Sequence, residues 1–164
     1  MNTSLWTMQV LWGVSFSITG FGKIMWYNSA LWNQALHVVP WLSAVPQDLS
    51  IFIGVCEFLG GLGLILPALT GIKPKLTPLA AFGLALIMIL AAGFHIARGE
   101  YNFVVLNLVL GGVAAFIGYG RWRVRPVAPA SIGNFGVVKG LAVLGLLVLV
   151  DYAPVWYRLS HTTN

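Results

Sequence analysis

The sequence predicts an all-α transmembrane fold, a four-helix bundle plus a fifth C-terminal transmembrane helix. Three observations carry that expectation. The 164 residues are 59% apolar and only 8% charged, whereas a soluble domain carries about 25% charged residues. Mean hydropathy is +0.87. The apolar residues also gather into runs of about 20, the length at which a helix crosses the hydrocarbon layer. A surface so poor in charge cannot be kept in water, and lipid is its natural solvent.

The first run extends from about Leu5 to Gly22 and ends at Lys23. The second extends from about Leu49 to Leu66, where Pro67 is expected to stop it. The third covers Leu76 to Ile96. Its Pro78 suits the first turn, where a missing N–H costs little. A tight turn, Ala97-Arg98-Gly99-Glu100, leads into a fourth run from about Tyr101 to Tyr119. A fifth, Val137 to Ala153, is apolar apart from Lys139 and Asp151.

Between the first two runs, residues 24–48 contain Trp26, Trp32 and Trp41 with His37, Pro40 and Pro46. Tryptophan prefers the headgroup level, so this segment is expected to be an interfacial loop with a short helix over one end of the bundle. Residues 1–125 then form the four-helix unit. Residues 126–164 complete a polar connector, which begins at Arg121, and supply the fifth span. Glycines inside the spans (Gly60, Gly61 and Gly63; Gly111 and Gly112) are expected to let helix backbones approach closely.

For five spans, Lys73, Lys75, Arg121, Arg123, Arg125 and Lys139 fall on the side of the N-terminus, and Lys23, Arg98 and Arg158 on the other. That asymmetry places the N-terminus in the cytoplasm and the C-terminus outside a bacterial-type inner membrane. The same placement accounts for the net charge of +5. The cations sit between apolar runs as topology signals and form no basic face for nucleic acid. No Lys or Arg precedes the first run and no small-x-small site follows it, so the N-terminus does not read as a secretory signal. Cys56, the one cysteine, excludes a dithiol mechanism within the chain and reads as a small core residue. His37, His95 and His161 lack the spacing of a metal site, so no metal is expected and a haem on His95 is disfavoured.

Polar residues inside the runs are the candidates for chemistry. Lys23 ends the first run. Glu57 lies roughly 12 Å into the second, His95 about 4.5 Å from Arg98 in the third, and Asn107 roughly 9 Å into the fourth, at the helical rise per residue. All four fall in the outer half, with Arg98 and Glu100 at the rim. The inner half is expected to hold little beyond Ser and Thr. A charge in hydrocarbon costs about 2.5–3.5 kcal/mol on insertion scales, so these groups face the interior or pair with one another. Lys23 and His95 are the natural partners of Glu57. The set is either a hydrogen-bond network that locks the helices together or an outer-half pocket for a lipophilic small molecule. In the second case Glu57 and His95 exchange protons as the catalytic pair, Lys23 balances charge and Asn107 orients the ligand. Trp41 and His37 then bind from the loop above as a lid.

Specific stretches support a family resemblance. Trp6-x-x-Gln9-Val10-Leu11 through Phe16 and Gly20-x-x-Lys23 resembles the first span of the DoxX-like membrane proteins. Gly54-Val55-Cys56-Glu57 through Pro67 resembles their second. Leu76-Thr77-Pro78-Leu79-Ala80-Ala81 through His95, then Asn107 and Gly120-Arg121, is similar to the rest. The resemblance covers about Leu5 to Arg125 and implies a four-helix bundle with Lys23, Glu57, His95 and Asn107 on the family's polar positions. It also implies a redox setting, since some members belong to thiosulfate:quinone oxidoreductases and others accompany quinone detoxification or redox stress. The fifth span lies outside it.

The expected function is therefore a membrane subunit or accessory of a redox system that binds a quinone-like or other lipophilic small molecule. A quinone-linked oxidoreductase subunit is one form of it. No cofactor is assigned by the residues, a quinone is the expected substrate, and electrons come from a redox partner protein or soluble donor. Two other readings stay open. One is a proton-coupled transporter working through Glu57, which the apolar inner half opposes. The other is a structural anchor that recruits partners through the Arg-rich connector and the fifth span.

Overall fold

The computed structural model describes residues 2–27 and 29–128. Helices are α1 (Asn2–Met25), α2 (Ala30–Val38), α3 (Gln47–Thr70), α4 (Leu76–Ala97) and α5 (Tyr101–Tyr119). A 3-10 helix covers Pro40–Ala44, and a π-helical turn, Gly120–Val124, continues α5. The expected fifth span, Val137 to Ala153, and the connector beyond residue 128 lie outside the described residues, as do Lys139, Asp151, Arg158 and His161.

Among the described residues, three helices are long and apolar enough to cross a membrane: Gln47–Thr70, Leu76–Ala97 and Tyr101–Val124. The expected first span is present as a helix of 24 residues. Gln9, Ser15, Ser17, Thr19 and Lys23 make α1 more polar than the other three. α3 also departs from expectation, because it runs through Pro67 instead of stopping there. A proline forfeits one backbone bond, and in a membrane helix neighbouring groups make that tolerable. The helix ends at Gly71, whose φ of 70° places it in the left-handed region. Its N–H returns to Pro67 O at 2.9 Å, the usual glycine stop.

Polarity is distributed inside out. Gln9, Ser17, Ser50, Glu57, Thr77, His95, Asn107 and Arg121 are buried, while Phe52, Leu59, Leu86, Leu90, Val105 and Leu108 are exposed. In water that arrangement would waste the hydrophobic effect. In lipid it is favourable, because polar groups need partners and apolar ones do not.

α1 packs along α3, α3 on α4, and α4 on α5, and α5 meets α1 more lightly. Phe16, Leu64, Ile65, Leu84, Met88 and Ile117 form the apolar centre. The α1–α3 seam is the tightest. A Cβ on Gly20 would lie 2.5 Å from Gly54 O, and one on Gly61 would lie 2.5 Å from Gly13 O. Gly13 thus faces Gly61 and Gly20 faces Gly54, so the helices are antiparallel with backbones in contact. Above one end of this seam, α2 starts at Ser29, whose hydroxyl accepts from Trp32 N at 3.2 Å. The 3-10 helix then lays Trp41 against α4 and α5, through Phe94, His95 and Phe103.

Candidate functional site

Side chains on a helix lean toward its own N-terminus, and this decides how the first polar cluster forms. Lys23, in the last turn of α1, leans back toward the middle of the bundle. Glu57 stands about 15 Å along a helix about 36 Å long. Because α3 is antiparallel to α1, Glu57 leans the opposite way and the two side chains converge. Lys23 Nζ donates to Glu57 Oε2 at 2.5 Å, and Thr19 Oγ1 donates to the same oxygen at 3.3 Å. Side-chain exposure is 15% for Lys23 and 7% for Glu57. Gly20 and Gly54 bring the backbones close enough for so short a contact. Cys56, the neighbour of Glu57, is half-buried.

The second cluster is built by the turn between α4 and α5. Gly99 takes φ 70°, and the chain doubles back so that Glu100 N bonds to His95 O at 3.0 Å. The same reversal brings the Glu100 carboxylate to the imidazole, with His95 Nδ1 and Glu100 Oε2 2.7 Å apart. Arg98 Nε donates to the other oxygen at 2.9 Å. Glu100 is held below the ordinary carboxylate range. The hydrogen bond from His95 is the main cause and Arg98 reinforces it, while partial desolvation opposes both.

Aromatic rings enclose the buried imidazole. Phe103 stacks on it with centroids 5.1 Å apart, and Trp41 and Phe94 meet it edge-on at 5.1 and 5.3 Å. Trp41 Nε1 is buried without a hydrogen-bond acceptor among the described residues. An open cavity of about 330 Å³ adjoins, lined by Glu100, Tyr101, Asn102 and Phe103 with Gly99. Asn107 is buried one turn beyond Phe103, and its Nδ2 donates to Phe103 O at 2.7 Å.

The candidates thus divide into two groups. Lys23 and Glu57 meet, as do Trp41 and His95, with Asn107 bonded to the backbone of Phe103. His95 is paired with Glu100 rather than with Glu57. His37 is exposed in the last turn of α2, with no hydrogen bond or ring contact to these residues.

A DoxX-like family profile matches residues 7–117. The chain belongs to the DoxX-like family. Together with the apolar helices, that membership makes it a multi-pass integral membrane protein in contact with the lipid bilayer. No curated protein and no solved structure matches it.

Sequence reasoning missed a third polar group in this DoxX-like chain, at the opposite end. Gln9, fully buried, donates through Nε2 to Leu64 O at 2.6 Å and accepts from Arg121 Nε at 2.7 Å. Arg121, expected to begin a polar connector, is 4% exposed. Its guanidinium lies 4.8 Å from the centroid of the Trp6 ring. The expected apolar half therefore holds a buried amide–guanidinium pair. The signal was Gln9 inside an apolar run, where an amide needs a partner. The π-helical turn shifts the register at Gly120–Val124 and aims Arg121 inward, which helical periodicity could not reveal.

Proposed function

We propose that the protein is a membrane component of a redox system and that its His95 cluster binds the headgroup of a quinone-like molecule. The buried His95–Glu100 pair, enclosed by Trp41, Phe94 and Phe103, carries this reading. A quinone ring is flat, apolar on its faces and edged by carbonyl oxygens. Aromatic side chains suit its faces, and Trp41 Nε1 supplies a buried donor in need of an acceptor. His95 with Nδ1–H toward Glu100 leaves Nε2 to exchange a proton with a quinone oxygen. Reduction of the quinone takes two electrons and two protons. The electrons come from a redox partner protein or soluble donor, and the protons pass by way of His95. The redox setting of the DoxX-like family supports the same reading.

In this proposal α1 is a fourth span, despite its polarity, because Gln9, Ser17 and Lys23 turn toward α3. Residues 1–125 form the four-helix unit, and residues 126–164 supply the connector and a fifth span. The N-terminus is cytoplasmic, in a bacterial-type inner membrane, by the bias of Lys and Arg. Lys23 and Glu57 balance charge beside the site, Glu57 serves as a second proton-exchanging group and Asn107 fixes Phe103. His37 takes part as a lid only if ligand binding redirects α2.

The test is mass spectrometry of lipid-soluble compounds that copurify with the wild type, His95→Gln and Glu57→Gln, matched for folding by thermal melt. A quinone retained by the wild type and lost from His95→Gln supports the proposal. Loss from Glu57→Gln as well extends the site to the ion pair. Equal, bulk-lipid content in all three folded proteins refutes it and leaves both clusters as structural networks.

A further inference from the structure

At the end opposite His95, the loop between α3 and α4 faces the π-helical turn across a cavity of about 440 Å³. Lys75, Arg121 and Trp122 line it, with Pro74 and Pro78 among the other walls. Five of the seven described Lys and Arg residues sit at this end: Lys73, Lys75, Arg121, Arg123 and Arg125. The described acids Asp48, Glu57 and Glu100 lie in the first turn of α3, in its middle and in the opposite turn. The three apolar helices all begin or end here, which puts the cavity at the level where hydrocarbon gives way to headgroups. Trp122, exposed beside it, is the residue type that favours that level.

We propose that this cavity binds the phosphate headgroup of an anionic phospholipid. Its volume falls in the range of small-molecule sites, about 300–1,000 Å³. Lys75 is exposed at its wall and supplies a mobile ammonium. Arg121, almost fully buried behind the wall, adds a fixed positive charge, held by Gln9 Oε1 at 2.7 Å and by Arg125 O at 3.4 Å. Basic pockets between membrane helices recognise anionic headgroups by this combination. The acyl chains would lie along the exposed apolar faces of α4 and α5, where Leu79, Phe82 and Phe116 are uncovered. The inference is independent of the quinone reading, since it concerns the other end of the molecule.

The test uses the full chain, delipidated in neutral detergent and titrated with phosphatidylglycerol, phosphatidylcholine or inorganic phosphate. Binding is read by native mass spectrometry and by the rise in melting temperature. Phosphatidylglycerol is expected to bind saturably and to raise the melting temperature, and the other two to do neither. Lys75→Gln is expected to weaken phosphatidylglycerol about fivefold, the effect of one basic residue near an anionic headgroup. Lys73 takes a left-handed φ of 46°, which asparagine tolerates, and lies off the cavity wall, so Lys73→Asn is expected to change it far less. Equal losses from the two variants would mean a diffuse basic surface and overturn the proposal. Phosphatidylcholine binding as well as phosphatidylglycerol would also overturn it, and inorganic phosphate matching the lipid would overturn the lipid source.

Discussion

Replacing Lys23 with Met removes the ammonium that Glu57 Oε2 accepts from at 2.5 Å. At that separation two unit charges attract by about 7 kcal/mol at an effective dielectric of about 20. Desolvating the two groups costs several kcal/mol each, so the intact pair is close to neutral for stability. Removing one partner is different, because the other remains buried without its compensation, at about 3–5 kcal/mol. The two single variants should nevertheless be unequal. Lys23 lies in the last turn of α1, and its four-carbon stem can carry a lone ammonium out to the headgroups. Glu57 stands near the middle of α3 and has no such escape. Lys23→Met is therefore expected to lose about 3–5 kcal/mol, Glu57→Gln clearly less, and the double variant little more than Glu57→Gln. Unfolding by sodium dodecyl sulfate in mixed micelles, followed by far-UV circular dichroism, measures all four corners of the cycle. Equal single losses that add within about 0.5 kcal/mol in the double variant would refute the reasoning.

The α1–α3 seam and the His95 turn give further tests. Gly61→Ala puts a Cβ 2.5 Å from Gly13 O and 2.7 Å from Ser17 N, so it should cost about 1–3 kcal/mol as the backbones move apart. Gly112→Ala, where a Cβ meets nothing within 4 Å, should leave the same micelle titration unchanged, and equal effects would show that the seam is not the constraint. Glu100 has a depressed folded-state pKa, so its contribution to stability is present above the ordinary value of 4.5 and is lost as pH falls through the lower folded value. The unfolding midpoint should drop below pH 4.5 in the wild type and not in Glu100→Gln, and a drop of the same size in both would exclude Glu100 as its source.

Much of this architecture was legible in the sequence because membrane helices leave a strong signal. The apolar runs gave the helices over Leu76–Ala97 and Tyr101–Tyr119 nearly to the residue, and the Gly99 turn between them. Residue type located the polar clusters, since a lysine, glutamate or histidine in an apolar run has to find a partner. Partnership was harder to read. The Lys23–Glu57 pair could be anticipated because Glu57 is the deepest acid and Lys23 the cation that ends the neighbouring run. The His95–Glu100 pair depends on the left-handed turn at Gly99, which reverses the chain within five residues. Pro67 misled for a related reason, because a stop signal learned from water is weak where neighbouring helices replace the lost bond. Arg121 misled because its direction is set by a π-helical turn, a local change of period with no compositional mark.

The division of polar groups between the two ends also bears on which function is physically open. A proton-coupled transporter needs polar groups that continue from one face to the other. The buried Gln9–Arg121 pair removes the objection that one half lacks polarity, but it does not join the halves. Between Glu57 and Gln9 the α1–α3 seam is closed by Gly13 against Gly61. Phe16, Leu64, Ile65, Leu84, Met88 and Ile117 fill the interior at the same level. Opening a wet path there would strip packing from the best-buried side chains of the protein. A ligand that enters from the lipid or from one face and leaves the same way requires none of that. The inside-out arrangement thus favours sites that each serve one leaflet, separated by the apolar waist.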